Sequence, residues 1–229
     1  MNEQILDALS RARYRILSGS EELEDLYRLR YRCYLKEQAI APNEMGMMSD
    51  AFDGTPNCIN VAVEMDGDML AAVRLHLVTP LCPLSPTLSV FPELEESVGQ
   101  GMTVLDPTRF IVDPSARKRR VPLHFLTLRV PMLAAMFYSV DLALAPVRPE
   151  HAAFYSRYLG YETRIAPRPF LGLQKPLQLM VADFEAHRAE VLKRTPSLGP
   201  IEGVPNANID FPDLADLRLP AKPGSSDAA

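Results

Sequence analysis

The sequence predicts an α/β fold with a mixed central sheet flanked by helices. Two segments, CINVAVEM and MLAAVRLHLV, alternate apolar with other residues on either side of Asp66-Gly67, the pattern of an antiparallel hairpin closed by a tight turn. Downstream, strand-like and helix-like segments alternate, so later strands join the same sheet through helical connections. With 229 residues, 47% of them hydrophobic, the chain can bury one substantial core and still carry extensions.

The elements follow in order. Residues 2–17 and 21–38 have helical spacing; in the second, Leu23, Leu26, Tyr27, Arg30, Tyr31 and Tyr34 recur at i, i+3, i+4, and Ser20 is its candidate N-cap. Residues 41–57, with Pro, Gly, Asn and Ser, read as a loop. The hairpin comes next. Residues 79–101 are Pro-rich and irregular, with a short helical turn at 92–98. MTVLDPTRFIV (102–112) reads as a strand interrupted by Pro107, which signals an edge or a bulge. A helix is expected over 122–138, opened by Pro122 and bent at Pro131. VDLALAPV is a short strand, and 149–159 a helix opened by Pro149 and closed by Gly160. Strands near 161–166 and 177–182 and a helix at 183–194 complete a domain over residues 1–194. The tail, 195–229, is rich in Pro, Gly, Ser and Asp and is expected to be loosely ordered.

Composition narrows the function. The net charge of −5 argues against general nucleic-acid binding. No apolar run reaches the length of a membrane span, and the N-terminus has acidic residues and no continuous apolar segment. The three cysteines, Cys33, Cys58 and Cys82, are not spaced as a disulfide framework or a metal site, and a reducing cytoplasm fits them. His76, His124, His151 and His187 show no ligand spacing, so no metal is expected. There is no nucleotide-type phosphate loop.

What remains is charge placed against apolar strands. Asp50 and Asp53 form DAFD in a loop, Arg74 interrupts an apolar strand, and Asp106 and Arg109 form DPTR in the strand at 102–112. A buried arginine needs an acidic partner. Residues three apart in a regular strand point to opposite faces, and a bulge near Pro107 would change that for Asp106 and Arg109. One reading is a salt-bridge network joining hairpin, loop and strand; the other is a catalytic site. Arg117, Lys118, Arg119 and Arg120 form an unbroken basic run before Val121-Pro122, at the expected start of a helix. The helix dipole already makes that end positive, so either water solvates the run or an anion docks there.

The segments LYRLRYRCYLKE, DAFD, AAVRL and LDPTRFIVDP, in this order and approximate spacing, resemble the acyl-homoserine-lactone synthases and the related N-acyl amino acid synthases. Both groups have the GCN5-related N-acetyltransferase fold. HAAFYSRYLGYE and RPFLGLQKPLQLM are more similar to the N-acyl amino acid synthases. The resemblance covers roughly residues 20–190 and implies an acyltransferase-like domain. By the match, Arg30, Tyr34, Asp50, Asp53 and Arg74 take substrate-binding positions, and Asp106 and Arg109 the catalytic carboxylate–arginine pair. Asp106 stands where the family has glutamate. The coenzyme A loop of the superfamily falls on Arg117 to Pro122, where Arg120 and Pro122 replace its glycines. Pro122 has no N–H to give a pyrophosphate.

The resemblance therefore implies a donor carried on the phosphopantetheine of acyl carrier protein rather than free acyl-coenzyme A, with no other cofactor. Arg117–Arg120 would dock that acidic partner. Backbone N–H groups near Phe110 and Val112 would hold the thioester carbonyl and pantetheine amides. Asp106 would act as general base towards the amine of an amino-acid acceptor. Leu123, Leu126, Met132, Met136 and Phe137 are candidates to line an acyl slot, though ordinary core packing also accounts for them. Three alternatives stay open: a lactone synthase using S-adenosylmethionine, a conventional transferase using acyl-coenzyme A, which the replaced glycines oppose, and a non-catalytic acyl- or carrier-binding module on the same fold. The absence of tryptophan and the downstream motifs weigh against the first.

Overall fold

The computed structural model describes residues 3–119 and 121–214, the side chains of 117–119 excepted. Seven strands form one sheet in the order β1-β2-β3-β4-β5-β7-β6. These are β1 (Ala12–Leu17), β2 (Cys58–Met65), β3 (Asp68–Val78), β4 (Val104–Val112), β5 (Leu142–Val147), β6 (Glu162–Arg168) and β7 (Leu177–Asp183). Every neighbouring pair is antiparallel except β4–β5, which is parallel and is joined only at Val104↔Leu142 and Leu105↔Ala143. The β2–β3 turn forms as the sequence predicts. Asp66 and Gly67 both have positive φ, 55° and 86°, the geometry a two-residue hairpin loop demands.

Two layers cover the sheet. Helix α5 (Leu123–Phe137) buries Val130, Leu133 and Ala134 against Val61, Val73, Leu75 and Leu105. Helix α2 (Ser20–Lys36) buries Leu26, Leu29 and Cys33 on the other side, against Ala62, Ala72 and Ile111. The two sets alternate along β2 and β3, as a strand buried on both faces requires. Helix α6 (Ala152–Leu159) ends at Gly160, whose φ is 74°. A Cβ there would lie 2.6 Å from the His187 ring on α7 (Phe184–Arg194), so both backbone conformation and packing require glycine.

Three expectations are corrected. The helix predicted over 2–17 stops at Arg11: α1 is Glu3–Arg11, and Ala12–Leu17 is the edge strand β1. Ala12, Tyr14 and Ile16 lie apolar side inward, and Arg15 pairs with Glu64 of β2 at 2.6 Å. A six-residue segment fits periods of two and of 3.6 about equally well, and pairing with β2 decides it. Gly19, not Ser20, is the N-cap of α2; the carboxylate of Glu22 accepts from the N–H groups of Ser18 and Gly19, both at 3.2 Å. Within the irregular stretch 79–101 an unexpected helix, α3 (Pro86–Val90), precedes the turn expected at 92–98, which forms as a 3₁₀ turn at Pro92–Leu94 running into α4 (Glu95–Gly99). Ser85 caps the first, accepting from Thr87 and Leu88 N–H at 3.1 Å each.

The segment after α7 was expected to be loose, yet its described part packs. Ser197, Leu198, Ile201, Ala207 and Phe211 are all buried. Arg129 of α5, fully buried, donates to the carbonyls of Ser197 (2.6 Å), Gly199 (2.8 Å) and Ala207 (2.6 Å). Composition suggested a polar tail; scattered apolar residues and one long-range cation make it a strap.

Candidate active site

Strand β4 carries the site because its register breaks. Ala72 pairs with Ile111 and Arg74 with Thr108, so Arg109 and Phe110 together face Val73 alone. This is a β-bulge, two residues later than Pro107. Arg109 takes a left-handed φ of 54°, which a branched or long side chain adopts only when its surroundings hold it there. The bulge turns Arg109 onto the α2 face, beside Thr108 and Arg74. Its guanidinium lies over the ring of Tyr34 at 5.8 Å.

Five charged side chains then interlock. Arg74 reaches Asp50 through two nitrogens (2.6 and 3.2 Å), Asp53 at 3.1 Å, and Thr108 Oγ1 at 3.1 Å. Arg30 donates to Asp53 (2.7 Å) and to Asn60 Oδ1 (2.6 Å). Arg109 Nη2 donates to Asp50 Oδ2 at 2.7 Å and to the Leu171 carbonyl at 3.3 Å. The DAFD loop is shaped to receive them: Asp50 caps the turn by accepting from Phe52 N–H (3.0 Å), and Asp53 accepts from Asp50 N–H (3.0 Å). His76 Nε2–H donates to the Phe52 carbonyl at 3.0 Å; burial pushes this ring's pKa down, so it is neutral at pH 7.

Burial alone would push the Asp50 carboxyl up. The hydrogen bonds and charges of Arg74 and Arg109 outweigh it and hold the group well below the usual carboxylate range. Three arginines meet two aspartates, so the network carries one more cation than anion. That excess has an address. Arg109 is only 6% exposed, and its Nη1 has no hydrogen-bond partner among the described residues. A buried guanidinium N–H without an acceptor is costly, and an incoming anion would relieve it.

Arg109 lines a cavity of about 710 Å³. Because β4 and β5 separate beyond Leu105 and Ala143, the cavity runs between them, bounded by residues 107–112 of one strand and 143–147 of the other. Tyr34 and Cys33 close it on the α2 side; His124, Leu128, Pro131, Met132 and Ala135 of α5 close it on the opposite side. Phe110 and Val112 are on its wall, Phe110 stacked on His124 with centroids 6.3 Å apart. Tyr155 also faces it. Burial, then the neighbouring Tyr34, pushes its hydroxyl up to about 12, so it remains a proton donor at neutral pH.

The structure thus brings together Arg30, Tyr34, Asp50, Asp53, Arg74 and Arg109, and places Phe110 and Val112 on the same cavity. It does not bring Asp106. That carboxylate is fully buried and accepts from Ser85 Oγ (2.6 Å), Thr87 Oγ1 (2.6 Å) and Thr87 N–H (3.2 Å), away from the cavity wall. A carboxylate holding three donors and shielded from the cavity ties α3 to the sheet; it is not placed to take a proton from an amine. Asp106→Asn is therefore expected to lower stability by about 1–3 kcal/mol while the folded enzyme turns over normally. Chemical denaturation alongside initial rates checks this.

Of the five apolar residues expected in an acyl slot, only Met132 lines the cavity. Leu123 and Leu126 belong to the core beneath β1, Met136 packs on the main core, and Phe137 is half-exposed against Phe211. The basic run lies outside the described residues for Arg120 and for the side chains of Arg117, Lys118 and Arg119; the backbone of Pro114–Arg119 forms a 3₁₀ turn. Sequence reasoning missed Thr108 and Asn60, which hold Arg74 and Arg30, because neutral residues in a strand carry no signal of their own.

No curated protein sequence matches the chain. Among solved structures, N-acyl amino acid synthase FeeM from uncultured soil microbes superposes with a TM-score of 0.66 at 17% identity, covering 80% of this chain and 96% of that one. The coenzyme A-dependent acyl-homoserine lactone synthase BjaI gives 0.60 at 15% identity, covering 86% and 96%. An acyl-coenzyme A N-acyltransferase from Pseudomonas aeruginosa gives 0.52 at 19%, covering 74% and 98%. These likenesses show the fold, that of the GCN5-related N-acetyltransferases. The family model of N-acyl amino acid synthase FeeM matches residues 25–183, well over half of the chain. The chain belongs to that family of N-acyl amino acid synthases, and it is an acyltransferase.

Proposed function

We propose that the protein transfers a fatty acyl group from the phosphopantetheine thioester of acyl carrier protein to the amine of an α-amino acid. The observation that carries this reading is the unpartnered Nη1 of Arg109, on the wall of a cavity that threads the β4–β5 gap. The acceptor's carboxylate would pair with Arg109, whose position Asp50 and Tyr34 fix. The arm would lie between the separated strands. Beyond Leu105, β5 is not paired with β4, so the β4 edge at the bulge around Phe110 would be open to the arm's amides and the thioester oxygen, with Val112, whose carbonyl accepts from Cys33 Sγ at 3.6 Å, at the end of that run.

In the reaction the amine nitrogen attacks the thioester carbon, the C–S bond breaks, and the thiol leaves on the arm. The ammonium must first lose a proton. That proton passes to solvent, and the second, lost as the amide forms, goes to the departing sulfur, so the arm leaves as a thiol. Tyr155 can donate a hydrogen bond to the departing sulfur.

A carrier-protein donor is favoured over free coenzyme A by the start of α5. Pro122 has no N–H, and Leu123 N–H is already bonded to the Val121 carbonyl at 2.8 Å, so two positions of a pyrophosphate cradle are lost. Arg117, Lys118, Arg119 and Arg120 would face the acidic carrier protein. No helix of the described residues is long and apolar enough to cross a membrane, and Cys33, Cys58 and Cys82 are free, in keeping with a reducing cytoplasm.

The purified chain, supplied with long-chain acyl carrier protein and mixed amino acids, should release a linear N-acyl amino acid identifiable by mass. A lactone formed from S-adenosylmethionine, or no transfer despite binding, would overturn the assignment.

A further inference from the structure

The family match ends at Asp183, and the strap of residues 195–211 lies beyond it. This strap grips the back of the helix whose front walls the cavity. Leu128, Pro131, Met132 and Ala135, spaced i, i+3, i+4, i+7, face the cavity. Arg129 and Leu126 face away from it, towards the strap and Tyr14.

Arg129 is the clamp. It is fully buried, yet among the described residues it meets no carboxylate. Its partners are the carbonyls of Ser197, Gly199 and Ala207, with Tyr14 Oη at 3.2 Å; Tyr14 in turn donates to the Leu126 carbonyl at 2.9 Å. A buried guanidinium satisfied by three separate backbone carbonyls fixes all of them relative to the helix. At the far end, Tyr138 donates to the Pro212 carbonyl at 2.7 Å, and Phe211 packs on Phe137 and Tyr138. Between these anchors sits Pro131, which removes a helical hydrogen bond and leaves α5 deformable there.

We propose that the strap is a specificity element: by holding α5 at Arg129 and at its C-terminal end, it fixes the width of the apolar wall around Met132 and so sets the length of acyl chain the cavity accepts. This rests on the acyl-transfer reading above. Arg129, Tyr14 and Phe211 are positioning residues; none touches the cavity.

The test uses the full-length protein and the variants Arg129→Met, Tyr14→Phe and Phe211→Ala. Binding of non-reactive acyl-pantetheine thioethers with chains of eight to eighteen carbons is measured by calorimetry, and turnover with the matching acyl carrier proteins in parallel. The native chain should show a clear length optimum. Variants that remain folded should move that optimum to longer chains, changing the long-to-short preference about ten-fold. A variant with a lowered melting temperature and the native length profile would mean the strap only stabilises, and the proposal falls. Should Arg129→Met fail to fold, the two milder variants decide. A native protein that binds thioethers with a length optimum, shifted in the variants, but transfers nothing would refute the enzymatic reading and leave the strap's role standing. Equal binding of all lengths would remove the strap's role and leave transfer intact.

Discussion

Arg109→Met is expected to lower kcat/KM for the amino-acid acceptor by about a hundred- to a thousand-fold, chiefly through KM. The substitution keeps the side chain's length and apolar stem but removes both the donor to Asp50 at 2.7 Å and the unpartnered Nη1. Deleting one member of a desolvated charge pair costs about 2–5 kcal/mol, and each 1.4 kcal/mol is about ten-fold. The fold should survive, because Asp50 keeps its two bonds from Arg74. Arg109→Lys should recover little, since an ammonium cannot serve Asp50 and a substrate carboxylate as a planar fork does. Steady-state kinetics with acceptor varied at saturating donor gives the split; an unchanged KM would separate Arg109 from the acceptor.

Asp50→Asn is the larger structural change. Asp50 joins Arg74 and Arg109 and caps the DAFD turn through Phe52 N–H. Without its charge, Arg30 and Arg74 share Asp53 and Arg109 keeps no carboxylate partner among the described residues, and breaking such a pair costs about 3–5 kcal/mol. The variant should lose cooperative folding near physiological temperature or melt far below the parent, as calorimetry would record. The pH dependence has a definite sign. Because the folded-state pKa of Asp50 is depressed, its contribution is fully present above the unfolded value of about 3.9 and fades as pH falls below it. The parent should therefore gain stability from pH 2 to about 5 more steeply than Asp50→Asn does. Equal slopes would place the coupling elsewhere.

Much of the site was legible because burying charge is expensive. Arg74 amid alternating apolar residues required an acidic partner, and DAFD supplied two. Arg30 and Tyr34, one helical turn apart, were readable as one face of a helix, and both point to the network. The Pro-interrupted strand announced a bulge, though periodicity could not say that the extra residue is at Arg109–Phe110. Asp106 shows where the reading failed. A carboxylate three residues from a catalytic arginine looks the same in sequence whether it faces substrate or Ser85 and Thr87. The strap failed for a different reason: its apolar residues are scattered, and the Arg129 clamp binds backbone carbonyls, which carry no sequence signature.

The most direct measurement compares α-amino acids with their carboxamides as acceptors for the native protein and for Arg109→Met, at saturating acyl donor. The native protein should prefer the free acid by about a hundred-fold or more in kcat/KM, and the variant should lose that preference while acylating both slowly. A native protein that acylates acid and amide equally well would contradict the claim that the spare donor of Arg109 reads the acceptor's carboxylate.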